Sequence, residues 1–236
     1  MPQTFEAILA VDIGGTGLKA ALIDRKGQML TERSRVETPH PSPPKVVIEK
    51  LGELVRPFLA DPRVGAVSVG FPGVVRDGKI FTAPNLGTEA WQGFPLAATL
   101  EKLWQKPVRA ANDADMQGLG AAKGKGVEVV ITLGTGFGTA ILSDGRLVPH
   151  LELAHHPFRK GETYEEQLGE AAREKAGKQK WNKRVATAIE TLRHLTSFDR
   201  LYIGGGNAKK LEIELPPDVK IVGNECGVRG GAKLWD

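Results

Sequence analysis

The chain has 236 residues, a formal net charge of +4 and a single cysteine, Cys226. One cysteine excludes an intrachain disulfide and a multi-cysteine zinc site, and the mild positive charge suits an anionic ligand without marking a nucleic-acid binder. No apolar run is long enough to span a bilayer and the start, MPQTFEAILAVD, has no basic flank of a secretory leader, so a cytoplasmic protein is expected.

The first elements are strands over residues 5–11, 18–24 and about 28–36, with DRKGQ as the second turn. The turn between the first two is Gly14-Gly15-Thr16-Gly17, preceded by Asp12 and followed by Lys19. Glycines without Cβ atoms let backbone N–H groups approach an anion, and Thr16 and Lys19 add a hydroxyl donor and a positive charge. Asp12 would repel phosphate, and fits better beside a divalent metal that bridges to phosphate. A tight β-hairpin with glycines for backbone geometry is the alternative.

A proline-rich stretch, HPSPPK, precedes a helix whose apolar spacing is Val46, Val47, Leu51, Leu54, Val55 and Phe58. VGAVSVGFPG reads as a buried strand ending in a turn, residues 95–105 as a helix, and KPVRAANDAD as a short strand ending in polar groups. There Asp113 could accept a proton from a substrate hydroxyl that Asn112 orients. Taken alone, Asp113 or Asp115 as an N-cap for the next helix, ADMQGLGAAKGKG, is the stronger reading.

The pattern then restarts. VEVVITLGTGFGTAILSDGRLV is again strand, glycine turn, strand and turn, about 120 residues after the first copy, which suggests two similar lobes. Thr132, Gly134, Thr135 and Gly136 offer hydroxyl and backbone donors. In LELAHHPF, Glu152 and His155 stand three apart and would share a face on a helical turn, where they could grip neighbouring hydroxyls of a polyol, with Glu165 able to join them. A surface histidine pair is the blander reading of His155 and His156. Helices are expected over 163–176 and 180–196, and the basic run 173–184 is either a solvated face or a track for a polyanion. YIGGGNAKK reads as strand, Gly204-Gly205-Gly206 and helix start, open to a nucleotide face or a phosphate. NECGVRGGAKLWD reads as a final helix.

The order of these motifs resembles the sugar kinases of the ROK family (repressor, open reading frame, kinase) over nearly the whole chain. DIGGTGLK is similar to the family's first phosphate motif, TLGTGFG to its second and YIGGGN to its adenosine-side motif; GFPGVV and PNL match segments around the sugar, and ND supplies the catalytic aspartate. The resemblance implies an α/β fold of the two-lobed actin/hexokinase-like (ribonuclease-H-like) type, mixed sheets flanked by helices with an interlobe cleft. It implies an N-terminal lobe of residues 1–113, completed by a C-terminal helix 226–236, and a second lobe of residues 114–225. The reaction implied is transfer of a terminal phosphoryl group from polyphosphate or ATP to the 6-hydroxyl of glucose or a related hexose.

By resemblance, Asp113 is the base, and Asn85, Asn112, Asp113, Glu152, His155 and Glu165 contact the sugar. Asp12, Gly14, Gly15, Thr16, Lys19, Thr132, Gly134, Thr135 and Gly136 serve the donor phosphates, Gly204, Gly205 and Gly206 the nucleotide side, and Asp12 positions Mg²⁺, directly or through water. The family carries a cysteine-rich zinc loop after its Glu-x-Gly-His element, whereas here ELAHHPFRKGETYEE runs straight on without a cysteine and Ala154 stands where the family has glycine, so no zinc site is expected. Short members of that kind look most like polyphosphate glucokinases. A homodimer without nucleic-acid or membrane partners is expected. The alternatives are a strictly ATP-dependent hexose or N-acetylhexosamine kinase and a non-enzymatic sugar-sensing regulator. Such regulators carry an N-terminal DNA-binding module, for which a first strand beginning within ten residues of Met1 is expected to leave no room. An actin-like structural protein is disfavoured by the Glu152 and His155 pair.

Overall fold

A computed structural model describes residues 5–223 and 225–236. Met1–Thr4, in the segment read for a leader, and Asn224, in the tail read as a helix, lie outside the described residues. The chain divides into two compact units, Met1–Met116 with Val228–Asp236, and Gln117–Gly227.

The first unit is built in chain order from β1 (Ala7–Ile13), β2 (Leu18–Ile23), β3 (Ser34–Val36), α1 (Pro44–Leu59), β4 (Val64–Phe71), β5 (Val75–Arg76), β6 (Lys79–Ile80), α2 (Thr88–Trp91), α3 (Leu96–Trp104), β7 (Val108–Asn112) and the start of α4 (Asp113–Ala121). Its five-stranded sheet runs β3-β2-β1-β4-β7, antiparallel in the β1–β2–β3 meander and parallel from β1 through β4 to β7. β1 is apolar on both faces because both are covered. Ala7, Leu9, Val11 and Ile13 pack with the buried stripe of α1, while Ile8 packs with Ile23, Ala66 and Ala232. The α1 stripe is Val47, Ile48, Leu51, Leu54, Val55 and Phe58; Val46, expected on it, is exposed, and Ile48 takes its place.

The second unit continues with β8 (Val127–Leu133), β9 (Phe137–Ser143), β10 (Arg146–Leu147), β11 (Pro157–Arg159), β12 (Glu162–Thr163), α5 (Tyr164–Leu168), α6 (Glu170–Ala176), α7 (Lys178–Thr196), β13 (Arg200–Gly204), β14 (Val219–Ile221) and the start of α8 (Glu225–Lys233). Its sheet, β10-β9-β8-β13-β14, repeats the first in order and in strand direction: an antiparallel meander followed by two parallel neighbours. Val129, Ile131 and Leu133 face the core under α5 and α7, and Val130 faces the opposite side with Ala140, Leu142 and Cys226. No helix among the described residues is long and apolar enough to cross a membrane.

Three expected elements come out differently. The strand over 28–36 shrinks to β3, because the Thr31 hydroxyl takes the Leu22 N–H at 3.0 Å, a group a continuing ladder would have used. The helix over 163–176 breaks at Gly169, where the Glu170 N–H donates to the carbonyls of Gly134 and Thr135 at 3.0 and 3.2 Å instead of to its own helix. The triple glycine leads into a 3₁₀ turn, Ala208–Lys210, in place of an α-helix, so no extended helix N-terminus stands there.

Candidate active site

The first glycine turn joins β1 to β2 beyond the Ile13–Leu18 pair, closed by a Gly14 N–H to Gly17 carbonyl bond of 3.1 Å. It is therefore a hairpin in geometry whatever it binds. Thr38, buried, donates to the Gly14 carbonyl at 2.5 Å and so pins the turn from the short segment between β3 and the proline-rich stretch, which carried no signal in the sequence. Thr16 is exposed at the tip. Lys19 and Asp12 face each other across the hairpin as an ion pair of 2.8 Å, so each is oriented by the other. Asn85 lies against the same turn: a Cβ added at Gly15 would come within 2.9 Å of the Asn85 Cβ. This unit thus brings an expected sugar contact and the expected phosphate turn together.

At the end of β7, Asn112 is buried and committed. Its Oδ1 accepts the N–H groups of Ala114 and Asp115 at 2.8 and 3.3 Å, and its Nδ2 donates to the Gly73 carbonyl at 3.1 Å. Asn112 therefore caps α4, the task expected of Asp113 or Asp115, and ties that helix start to the Phe-Pro-Gly turn. One Nδ2 hydrogen is left beyond the Gly73 bond for a ligand. Asp113 is the first residue of α4; its Oδ1 accepts the Ala114 N–H at 2.8 Å and its side chain is exposed.

The second turn, Gly134-Thr135-Gly136, joins β8 to β9 and is closed by Gly134 N–H to Gly136 carbonyl at 3.1 Å. The Thr132 hydroxyl accepts the Gly138 N–H at 3.1 Å and is used within the hairpin. Glu165, on α5, reaches this turn: a Cβ on Gly136 would lie 2.5 Å from its Oε2. A capping box between Thr163 and Glu166 starts α5 and fixes that approach. Phe137, Tyr164 and Phe158 stack in series, with centroids 5.3 and 4.5 Å apart, and join the turn to the β11 segment. Glu152 precedes a 3₁₀ turn, Leu153–His155, and its carbonyl accepts the His155 N–H at 3.1 Å. Glu152 lies just outside the helical residues, with ψ 62°, and its carboxylate stands 3.8 Å from His150 Nε2.

Glu170 was not marked by the sequence. Its N–H holds the second turn, and its carboxylate bonds Arg173, the amide of Asn207 and, at 3.4 Å, Lys210. Asn207 in turn donates to the Gly134 carbonyl at 3.2 Å. Arg173 and Asn207 hold the Glu170 carboxyl at about 2, so it is an anion throughout the neutral range. The network fastens the second glycine turn to the triple-glycine loop. In that loop Gly205 has φ +85° and a side chain there would overlap the Leu133 carbonyl, whereas Gly206 faces open space. Of the basic run, Arg173 is taken by Glu170, Lys178 pairs with Glu212, and Arg184 donates to the Gln167 carbonyl at 3.2 Å. Lys175, Lys180 and Lys183 make no ion pair among the described residues.

Residues 8–151 match the ROK family. The polyphosphate glucokinase of Mycobacterium tuberculosis (strain ATCC 25618 / H37Rv) is 31% identical over 239 aligned residues, covering 94% of this chain and 88% of that protein. The crystal structure of an inorganic polyphosphate/ATP-glucomannokinase from Arthrobacter sp. strain KM superposes with a TM-score of 0.85 at 33% identity, covering 98% of each chain. A ROK family glucokinase from Streptomyces griseus, solved in complex with glucose and AMPPNP, has a TM-score of 0.79 at 20% identity and shares the fold.

Proposed function

The chain belongs to the ROK family as a sugar kinase of actin-like fold, and from that premise we propose that it moves the terminal phosphoryl group of polyphosphate or ATP to the 6-hydroxyl of glucose or a related hexose. The observation that carries this reading is the repeated hairpin: two glycine turns at the same place in two sheets of the same topology, with Asn112-Asp113 at the end of β7.

In this reading the Asp113 carboxylate takes the proton of the sugar hydroxyl as that oxygen attacks the terminal phosphorus. A new O–P bond forms, the bond to the donor's bridging oxygen breaks, and the donor leaves as ADP or as a chain one phosphate shorter. Asn85, Asn112, Glu152, His155 and Glu165 hold the sugar hydroxyls in place. Donor phosphates meet the N–H groups of both glycine turns, with Thr16, Thr135 and Lys19 adding donors. Positioning and charge neutralisation supply most of the rate, and a base adds roughly 10²–10⁴-fold.

Asp12 suits Mg²⁺, which takes one or two carboxylates and otherwise phosphate and water oxygens. Its Oδ2 is bonded to Lys19, its side chain is 46% exposed, and it stands beside the first turn. When bound there, Mg²⁺ would supply charge neutralisation on the donor phosphates. A coupled assay with a panel of sugars, each against ATP and polyphosphate, tests the proposal. Glucose phosphorylated with at least one donor supports it, and no sugar phosphorylated with either removes it.

A further inference from the structure

We propose that Arg35 is a binding residue for the phosphate chain of the donor, at the outer edge of the first glycine turn. The inference rests on the phosphoryl-transfer reading of that turn and adds a residue outside its motif.

The register places Arg35 there. β3 is a three-residue edge strand paired antiparallel with β2, with Lys19 opposite Arg35, while on the other side of β2 Lys19 is opposite Asp12. Asp12, Lys19 and Arg35 therefore form one row across three strands, and directly opposed residues project from the same face of a sheet. Within the row Lys19 and Asp12 neutralise each other at 2.8 Å. Arg35 is the remaining charge. It stands directly across from a like charge, a placement that costs stability in a sheet. Among the described residues it makes no ion pair that would offset that cost.

Its side chain is not spread over the surface away from the turn. A Cβ added at Gly17 would meet the Arg35 Nε at 2.7 Å, Nη2 at 3.2 Å and Cζ at 3.4 Å. The guanidinium is thus seated against the backbone of Gly17, and any larger residue at that position would have to displace it. A planar cation on an anion-cradling turn matches phosphate oxygens through paired N–H donors, which a lysine cannot reproduce. Lys19, already oriented by Asp12, is a point charge; Arg35 provides the fork. A donor with a chain of phosphates presents more oxygens than the turn's own N–H groups can meet, and Arg35 is placed to take those next along the chain. ATP and polyphosphate share this chemistry.

The experiment uses the full chain with Arg35→Ala and Arg35→Lys. Steady-state rates are measured against polyphosphate, ATP and glucose in turn, and binding of tripolyphosphate alone is measured by calorimetry. Losing a charged hydrogen-bonded contact should raise KM for a donor by about tenfold or more in Arg35→Ala. KM for glucose and kcat at saturating donor should change little, and Arg35→Lys should recover only part of the loss. If the effect appears with polyphosphate and not ATP, Arg35 serves the longer chain; with both, it serves the phosphates they share. Unchanged donor KM and unchanged tripolyphosphate affinity in both variants would overturn the proposal. If the wild-type chain phosphorylates no sugar yet binds tripolyphosphate in an Arg35-dependent way, the kinase reading fails and the anion site stands. Melting curves check that both variants are folded, and Arg35→Lys carries the comparison if the alanine variant is not.

Discussion

At the residue scale, two carboxylates of opposite character define what side-chain chemistry can be tested. Asp113 is exposed at the first turn of α4, and Asp113→Asn keeps its size and its capacity to accept the Ala114 N–H. That variant should melt like the wild type and bind glucose with similar affinity, while kcat falls by at least about 10²-fold. Turnover near wild type in pure protein would remove Asp113 from the mechanism. Glu128 is fully buried in β8 and accepts the N–H groups of Lys123, Gly124 and Lys125 at 2.8, 2.7 and 3.3 Å and the Tyr202 hydroxyl at 2.8 Å. Burial alone would push its carboxyl up; those four donors outweigh burial and hold it below its ordinary value of 4.5. A carboxylate with a lowered folded value contributes stability above pH 4.5 and loses it as the pH falls through that folded value. Glu128→Ala should therefore cost about 3 kcal/mol near neutral pH, with the gap to wild type narrowing in acid. A gap that stays constant down to pH values below the carboxylate range would contradict this account of the loop 122–126.

Legibility at this scale followed distance along the chain. Asp12, Lys19 and the glycines were readable because a hairpin makes sequence neighbours into spatial ones. Thr38 and Arg35 reach the same turn only through the β2–β3 pairing and the segment after it, which no local pattern encodes. Asn112 stood out in the sequence as a candidate site residue but not as the cap of α4, since the two roles draw on the same residue types at a helix start.

At the element scale, the triple-glycine loop separates a packed glycine from an open one. Gly205→Ala would need a left-handed backbone and would overlap the Leu133 carbonyl, so it should lower the melting temperature, at a cost of about 2 kcal/mol or more. Gly206→Ala meets no protein atom within 4 Å. It should leave stability unchanged and raise KM for ATP severalfold, with KM for polyphosphate held, if that face receives the nucleotide. Equal KM values for ATP in Gly206→Ala and wild type would take the loop out of nucleotide binding. The elements themselves were largely visible in the sequence as alternations and apolar runs. At two of the three places where expectation and structure part, a tertiary bond took a backbone group the element needed: the Thr31 hydroxyl for β3, and the Gly134 and Thr135 carbonyls for the break between α5 and α6. A single-sequence pattern holds no signal for either.

At the scale of the whole molecule, the duplicated sheet was legible because the strand, glycine turn, strand pattern repeats, and a repeat is a statement about the chain rather than about one window. The donor was less legible. Half of the basic run 173–184 is spent inside its own unit, on Glu170, Glu212 and the Gln167 carbonyl, which leaves Lys175, Lys180 and Lys183 for a polyanion. Polyphosphate binding through many ion contacts should weaken steeply with added salt, more steeply than ATP binding. Removing divalent metal with a chelator should abolish turnover with either donor, Mg²⁺ alone should restore it, and zinc should not be required.

The central claim is that this chain makes a sugar phosphate from a phosphate chain. ³¹P nuclear magnetic resonance of the full chain with glucose, polyphosphate and Mg²⁺ follows every phosphorus atom at once. The account predicts a growing phosphomonoester signal at the sugar's 6-position, loss of polyphosphate, and neither change with Asp113→Asn. Orthophosphate as the sole product, or no change with polyphosphate and with ATP in its place, would contradict it.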